Sequence, residues 1–189
     1  EQFLNTLNDI IFGACQGQLL MTMCIVQLDL TSGEIVVCNA GHESPFRVKT
    51  VPTDPAVKRG VDTLFSRGER LGFSPAQRYT SIKDQLQPGE VVLLYTDGIS
   101  EARDADGKEW GERALKKSLS KLGDTELESV RDSIVSGFKK HVGEVLPDDD
   151  VTFVLLKFLH SAPQTTTDAS DREEWLRMQS AKKTGSEAA

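Results

Sequence analysis

Residues 90–106 read EVVLLYTDGISEARDAD, and this stretch carries more information than any other in the chain. Val91, Val92, Leu93 and Leu94 form a short apolar run between Pro88-Gly89 and Asp97-Gly98. A run so short and so bounded reads as a strand buried on both faces, with a buried helix left open by periodicity alone. The strand sets Asp97 at the tip of a rigid element. Gly98 then lets the backbone turn or come close to another segment. A carboxylate in that position is a good ligand for a hard cation. Asp-Gly is also an ordinary turn pair.

A second stretch, Leu146–His160, reads LPDDDVTFVLLKFLH. Asp148, Asp149 and Asp150 lead directly into Val151–Leu156, a β-branched and apolar run that again reads as a buried strand. Three adjacent carboxylates repel one another, and a divalent ion offsets that repulsion. A solvated acidic turn is the plainer alternative. Two acidic clusters beside two strands could converge on one metal site at a sheet end.

Further pieces complete a pattern. They are Leu20-Met21-Thr22, Leu28–Glu34 (LDLTSGE), Cys38–His42 (CNAGH), Leu71-Gly72, Leu86–Glu90 (LQPGE), Tyr95–Ala102 (YTDGISEA), Gly107–Gly111 and Asp149–Thr152 (DDVT). In this order the chain resembles the metal-dependent protein phosphatases, in the SpoIIE/RsbU branch of the protein phosphatase 2C-like superfamily. The resemblance runs from about Gln2 to Phe158. It implies an α+β fold of two packed antiparallel β-sheets flanked by helices. It also implies two Mn²⁺ or Mg²⁺ ions and a metal-activated water, with no protein nucleophile. Asp97 matches the Asp-Gly ligand position and Asp149 the first residue of the closing ligand motif. Gly98 and Asp150 are their neighbours, and Asp150 stands where the family residue is often non-ligating.

One element of the family is missing. Its upstream metal motif, of the kind Gly-Asp-x-Ser-Gly-His-Gly, precedes the helix with which this chain begins. The chain starts at Glu1 rather than Met. It therefore reads as a fragment whose opening strands lie upstream. Uncovered sheet edges would favour self-association, as a homodimer or by strand exchange.

Composition narrows the function classes. The 189 residues are enough for one domain with a core. A net charge of −7 argues against a general nucleic-acid or anionic-membrane surface. Cys15, Cys24 and Cys38 form no close pair, so they read as reduced thiols of a cytoplasmic protein. No apolar run reaches transmembrane length. A sensor or membrane segment further upstream is compatible with this.

In order, residues 2–14 carry apolar residues at helical spacing, with Gly13 and Gly17 ending the helix. Met21–Leu30 and Glu34–Asn39 read as a hairpin about Thr31-Ser32-Gly33, and Phe46–Val51 as a third strand. Pro52–Gly60 reads as a loop, and Leu64–Phe73 as a surface crossing. Tyr79–Leu86 and Glu90–Thr96 read as an antiparallel pair about Gln87-Pro88-Gly89. His42 reads as a structural residue near the site, with a pH-sensitive contact as the alternative. Arg47 is a candidate for phosphate, with a solvated strand position as its plainer reading. Asp104–Gly107 reads as a tight turn. Glu112–Leu122 and Thr125–Val142 read as helices, the second with Thr125 and Glu128 as a capping box. Val151–Leu159 is the last strand. The domain is assigned to 1–160. Residues 161–189 form a polar tail, where Ser170 and Glu173 could cap a short helix bearing Trp175, Leu176 and Met178.

These readings imply a phosphatase acting on phosphoserine or phosphothreonine. Through the resemblance, its substrate is a phosphorylated anti-sigma-factor antagonist in bacterial partner switching. The chain alone is expected to be nearly silent, because a bridging carboxylate is missing. The alternative is a non-catalytic domain that uses the fold as a protein-binding module.

Overall fold

The computed structural model describes residues 1–50, 52 and 59–159. Helix α1, Gln2–Cys15, opens the chain. Strands β1 (Met23–Leu28), β2 (Glu34–Ala40), β3 (Phe46–Val48), β4 (Val61–Thr63), β5 (Ser81–Gln85) and β6 (Val91–Tyr95) follow. A single turn α2 (Asp97–Ser100), helices α3 (Gly111–Leu119) and α4 (Leu127–Val142), and strand β7 (Phe153–Lys157) complete it. The strands form two antiparallel sheets, β1-β2-β5 and β4-β3-β6-β7.

Strand alternation sorts the apolar residues into three cores. Ile35 and Val37 of one sheet meet Val92 of the other, with Leu64, Leu86 and Phe158 between the sheets. Val91, Leu93 and Tyr95 point the other way, onto Leu115, Leu119, Val130 and Ile134 of α3 and α4. Leu4 of α1 covers the far face of the first sheet, at Cys38, Ala40, Leu71 and Tyr79. The order of layers is thus helix, sheet, sheet, helix pair. The expected two packed sheets are present, with one helix on one side and two on the other among the described residues.

Several expectations need correction. The paired strands expected about Gln87-Pro88-Gly89 are not partners: β5 pairs with β2, and β6 lies between β3 and β7. The physical reason is burial. Four of the five β6 residues are buried, so it takes a central place with a neighbour on each edge. β5 buries little and takes an outer place. The turn instead carries the chain from one sheet to the other. The Glu90 carboxylate accepts the Gln87 N–H at 2.9 Å, and the Gly89 N–H donates to the Phe158 carbonyl.

β7 is an edge strand and is not buried on both faces, since Val154 and Leu156 are 50% and 39% exposed. β4 was missed because Val-Asp-Thr is too short and polar to signal a strand. Leu64–Phe73 runs along the surface with Phe65 and Phe73 exposed, while Leu64, Ser66 and Leu71 turn inward and are buried. Gly13 lies inside α1, which ends instead at Gln16 in the left-handed region. The Thr125–Glu128 capping box does not form. Asp124 instead closes the turn ahead of α4, accepting the Glu126 N–H and the Ser129 hydroxyl. Residues 51 and 53–58 of the expected strand and loop, and the tail from 160, lie outside the described residues.

Arg47 fits neither of its readings. Its side chain is 13% exposed and points between the sheets, where it pairs with Asp62 on β4 at 2.6 Å and Asp84 on β5 at 3.0 Å. This ion pair joins the layers. The hydrogen bond from Arg47, then that from Lys49, hold the Asp62 carboxyl below its usual range. A depressed carboxyl contributes stability above its unfolded pKa and loses it as pH falls through the folded value. Asp62→Asn is therefore expected to melt below the parent at pH 7, with the gap closing as the pH is taken below about 4. Melting curves across that range check it, and a gap that widens in acid would contradict it.

Candidate functional site

The site is built where β6 and β7 end side by side. Thr96 follows β6 and Thr152 precedes β7. The Thr96 N–H donates to the Thr152 carbonyl at 3.0 Å, and the Thr152 N–H returns to Thr96 Oγ1 at 3.1 Å. The Thr96 hydroxyl donates to the Asp150 carbonyl at 3.0 Å. Thr96 thereby ties the Asp97 turn to the Asp149-Asp150 turn. Sequence reasoning passed over it, although it is the Thr of the quoted Tyr-Thr-Asp-Gly and its partner Thr152 is the Thr of Asp-Asp-Val-Thr.

Gly98 completes the junction. It is buried, and a Cβ there would overlap the Asp150 carbonyl oxygen and stand 3.0 Å from its carbon. Of the two roles open to Gly98, close backbone approach is the one it plays. Asp97 Oδ1 accepts the Gly98 N–H at 3.0 Å, and Asp149 Oδ1 accepts the Asp150 N–H at 2.7 Å. Both Asp97 and Asp149 are exposed.

The two carboxylates open onto neighbouring clefts. Asp97 lines one of about 500 Å³, with His42, Glu43, Glu69, Arg70, Glu101 and Glu112 on its walls. Asp149 and Asp148 line a smaller one of about 130 Å³, with Gly98, Glu101 and Arg103. Glu101 belongs to both. Asp150 lines neither of these two and contributes its carbonyl to Thr96 instead.

The larger cleft is strongly acidic. Glu43 is partly buried, and the desolvation it suffers, followed by the charge of Glu112, raises its carboxyl. The Tyr95 hydroxyl donates to Glu112 at 3.0 Å and the Ser100 hydroxyl to Glu43 at 3.4 Å. Burial and these two carboxylates push the Tyr95 phenol up, so it stays a donor.

His42 is held in place structurally. Its backbone is clamped by Asn39, whose amide donates to the His42 carbonyl while its oxygen accepts the His42 N–H, each at 2.8 Å. Its ring faces the cleft and meets the Thr22 hydroxyl at 3.3 Å. Arg70, rather than Arg47, is the guanidinium of the cleft. Gly41 makes room for it: at φ +67° its missing Cβ would lie 2.7 Å from Arg70 Cγ. The signal was the Gly of Asn-Ala-Gly-His, which implies that something approaches closely. Asp104 is taken up by its own turn, accepting the Asp106 and Lys108 N–H groups.

The donors suit a hard divalent cation, being carboxylate oxygens around an open cleft. Their number is short. Among the described residues no three His, Cys, Asp or Glu side chains converge to hold an ion. Asp97 and Asp149 could hold one only with further ligands.

Two packed antiparallel sheets with these flanking helices form the fold of protein phosphatase 2C-like phosphatase domains. The phosphatase domain of SpoIIE from Bacillus subtilis superimposes with a TM-score of 0.57 at 16% identity, covering 84% of this chain and 68% of that one. The SiaA-PP2C domain of Pseudomonas aeruginosa gives 0.57 at 20% identity, covering 78% and 56%. The family described as "Stage II sporulation protein E (SpoIIE)" matches residues 1–159, and the chain belongs to it. It is 28% identical over 158 residues to Protein IcfG of Synechocystis, covering 81% of this chain and 24% of that protein. It is 20% identical over 162 residues to the phosphoserine phosphatase RsbU of Bacillus subtilis, covering 83% and 44%. The chain thus spans less than half the length of either relative. No described helix is long and apolar enough to cross a membrane.

Proposed function

We propose that this chain is part of a metal-dependent phosphatase that releases phosphate from phosphoserine or phosphothreonine in a protein. The observation that carries this reading is the Thr96 tie, which sets the Asp97-Gly98 and Asp149-Asp150 turns together at the mouth of an acidic cleft. Asp97 and Asp149 are the residues that hold Mn²⁺ or Mg²⁺, and further ligands complete the shell. Bound ions supply a water of lowered pKa and shield the phosphate oxygens. Arg70 meets those oxygens from the wall, as a planar guanidinium can do with two parallel hydrogen bonds. Glu43 and Glu112 keep the cleft acidic, so an unloaded site repels phosphate.

The substrate we propose is a small phosphorylated regulatory protein of the anti-sigma-factor-antagonist kind. The likeness to RsbU and to the RsbU and RsbW domains of Rv1364c from Mycobacterium tuberculosis supports it. A second reading, a non-catalytic binding module, draws on the shortage of converging metal donors. The two separate in one assay. The chain, and a longer protein that supplies upstream sequence, are given Mn²⁺ with a phosphoserine-bearing regulatory domain and with a phosphotyrosine peptide. The longer protein is expected to release phosphate from the first and not the second, with EDTA abolishing it. The chain alone is expected to be nearly silent. No EDTA-sensitive release from the longer protein would favour the binding module.

A further inference from the structure

A shallow hollow of about 200 Å³ adjoins the acidic cleft, and Gly41, His42 and Ser44 are the wall they share. Its other side is the segment Phe65–Gly68. Phe65 is 62% exposed and Arg67 is exposed, while Leu64 and Ser66, which alternate with them, are buried. A single exposed Phe is ordinary on a protein surface. This one is held outward by its neighbours. The Leu64 N–H donates to the Pro45 carbonyl at 2.8 Å, and the Ser66 hydroxyl donates to the Thr80 carbonyl at 2.7 Å. Gly68 lies against the Asn39 carbonyl and the Tyr79 ring, and a Cβ there would overlap both. Inward and outward residues alternate over 64–67, as in an extended chain, so Phe65 and Arg67 stand on one side. Turning Phe65 inward would pull Leu64 and Ser66 out of their places.

The hollow also differs from the cleft in charge. Glu43, Glu69, Glu101 and Glu112 line the cleft, whereas no described carboxylate lines the hollow. Arg67 takes part in none of the ion pairs among the described residues. A guanidinium and an aromatic ring thus stand together, on a fixed stretch of backbone, one wall away from Asp97 and Arg70. We propose that Phe65 and Arg67 form a specificity subsite that selects an acidic side chain, Asp or Glu, close to the phosphoserine of the substrate protein.

This deepens the phosphatase reading and rests on its cleft as the seat of the phosphoryl group. The substrate backbone leaves that cleft across the Gly41-His42 wall. An extended chain covers about 3.3 Å per residue, so the hollow meets the first few residues on one side of the phosphoserine. Arg67 takes a carboxylate there by charge-assisted hydrogen bonds, two of them in parallel where the geometry allows. Phe65 covers the aliphatic stem of that residue. The same positive charge disfavours Lys or Arg at that place, so the subsite discriminates as well as binds.

The test measures binding and not turnover, in the Mn²⁺-supplied protein that carries the upstream sequence. The probes are fluorescent peptides in which a CH₂ replaces the ester oxygen of phosphoserine, so nothing is hydrolysed. Each carries Asp residues or Lys residues, placed either before or after that position. Arg67→Glu turns an attraction into a repulsion. It is expected to shift the ratio of Asp-peptide to Lys-peptide affinity about tenfold toward Lys on one side of the phosphoserine, and little on the other. The shift should shrink in high salt. Lys121→Glu makes the same change of net charge outside the hollow and should shift the ratio little on either side. Phe65→Ala should weaken the Asp peptide on the side that Arg67→Glu reveals. A ratio that Arg67→Glu leaves unchanged, or shifts equally on both sides, would overturn the proposal, as would an equal shift from Lys121→Glu. Failure of the phosphatase reading would show separately, as an absence of EDTA-sensitive release, because this measurement reads none.

Discussion

Asp97→Asn and Asp149→Asn are each expected to lower Mn²⁺-dependent phosphate release by about a hundredfold or more in a protein that carries the upstream sequence. A metal ion contributes several kcal/mol of charge stabilisation, and about 1.4 kcal/mol is a factor of ten in rate. Asn keeps the size and one oxygen of Asp but removes the charge that holds the cation. The turns themselves should survive. Asp97 Oδ1 accepts one N–H from Gly98 and Asp149 Oδ1 one from Asp150, and an amide oxygen can do the same. Both side chains are exposed, so neither change opens a core. Steady-state release at several Mn²⁺ concentrations, beside a melting curve, is the check. Turnover near the parental rate in either variant removes that residue from the metal shell. A collapse of melting temperature would mark it as structural instead. Asp150→Asn should do much less, because it is the Asp150 carbonyl, not its carboxylate, that the Thr96 hydroxyl holds.

Gly98→Val is expected to cost stability as well as activity. Gly98 has an ordinary φ, so a side chain is excluded by space and not by backbone strain. Any Cβ would press into the Asp150 carbonyl. Overpacking of this kind costs about 1–3 kcal/mol. Here the obstacle is backbone and cannot swing aside. The Asp150 segment must move off, which breaks the bonds from Thr96 and separates the two acidic turns. A lowered melting temperature with loss of Mn²⁺-dependent release is the expected result. Normal melting with normal release would mean that the turns need not touch for the site to work. Gly107→Ala is the control, since it sits in another Asp-Gly turn with nothing within 4 Å of its would-be Cβ. Its φ of +78° should cost some stability without touching the site.

The sequence by itself determined the elements whose signal is local. The run Val91–Leu94 gave a buried central strand, because apolar residues without alternation need cover on both sides. The spacing of Leu4, Leu7 and Ile11 gave α1, and Asp29 through Gly33 gave a turn that the Asp29 carboxylate closes on Thr31 and Ser32. The ordered motifs gave the family and the two acidic turns. Tertiary structure decided what depends on partners far along the chain. β5 and β6 are adjacent in sequence and joined by a turn that suits a hairpin, yet each pairs with a distant strand. Local chemistry fixes a turn, while burial of both faces of β6 fixes its neighbours. Arg47 and Arg70 are equally plausible as letters. Only the packing sends Arg47 between the sheets to Asp62 and Asp84 and sends Arg70 past Gly41 into the cleft. Asn8 is a polar residue within the amphipathic helix α1. It is fully buried, because its amide donates to the Ser74 carbonyl and its oxygen accepts the Gly72 N–H. A buried polar group is stable only when such partners arrive, and they come from 64 and 66 residues away. The meeting of Asp97 with Asp149-Asp150 is of the same kind. Each turn is legible alone, and their contact exists because β6 and β7 pair in register and Gly98 leaves room for the Asp150 carbonyl.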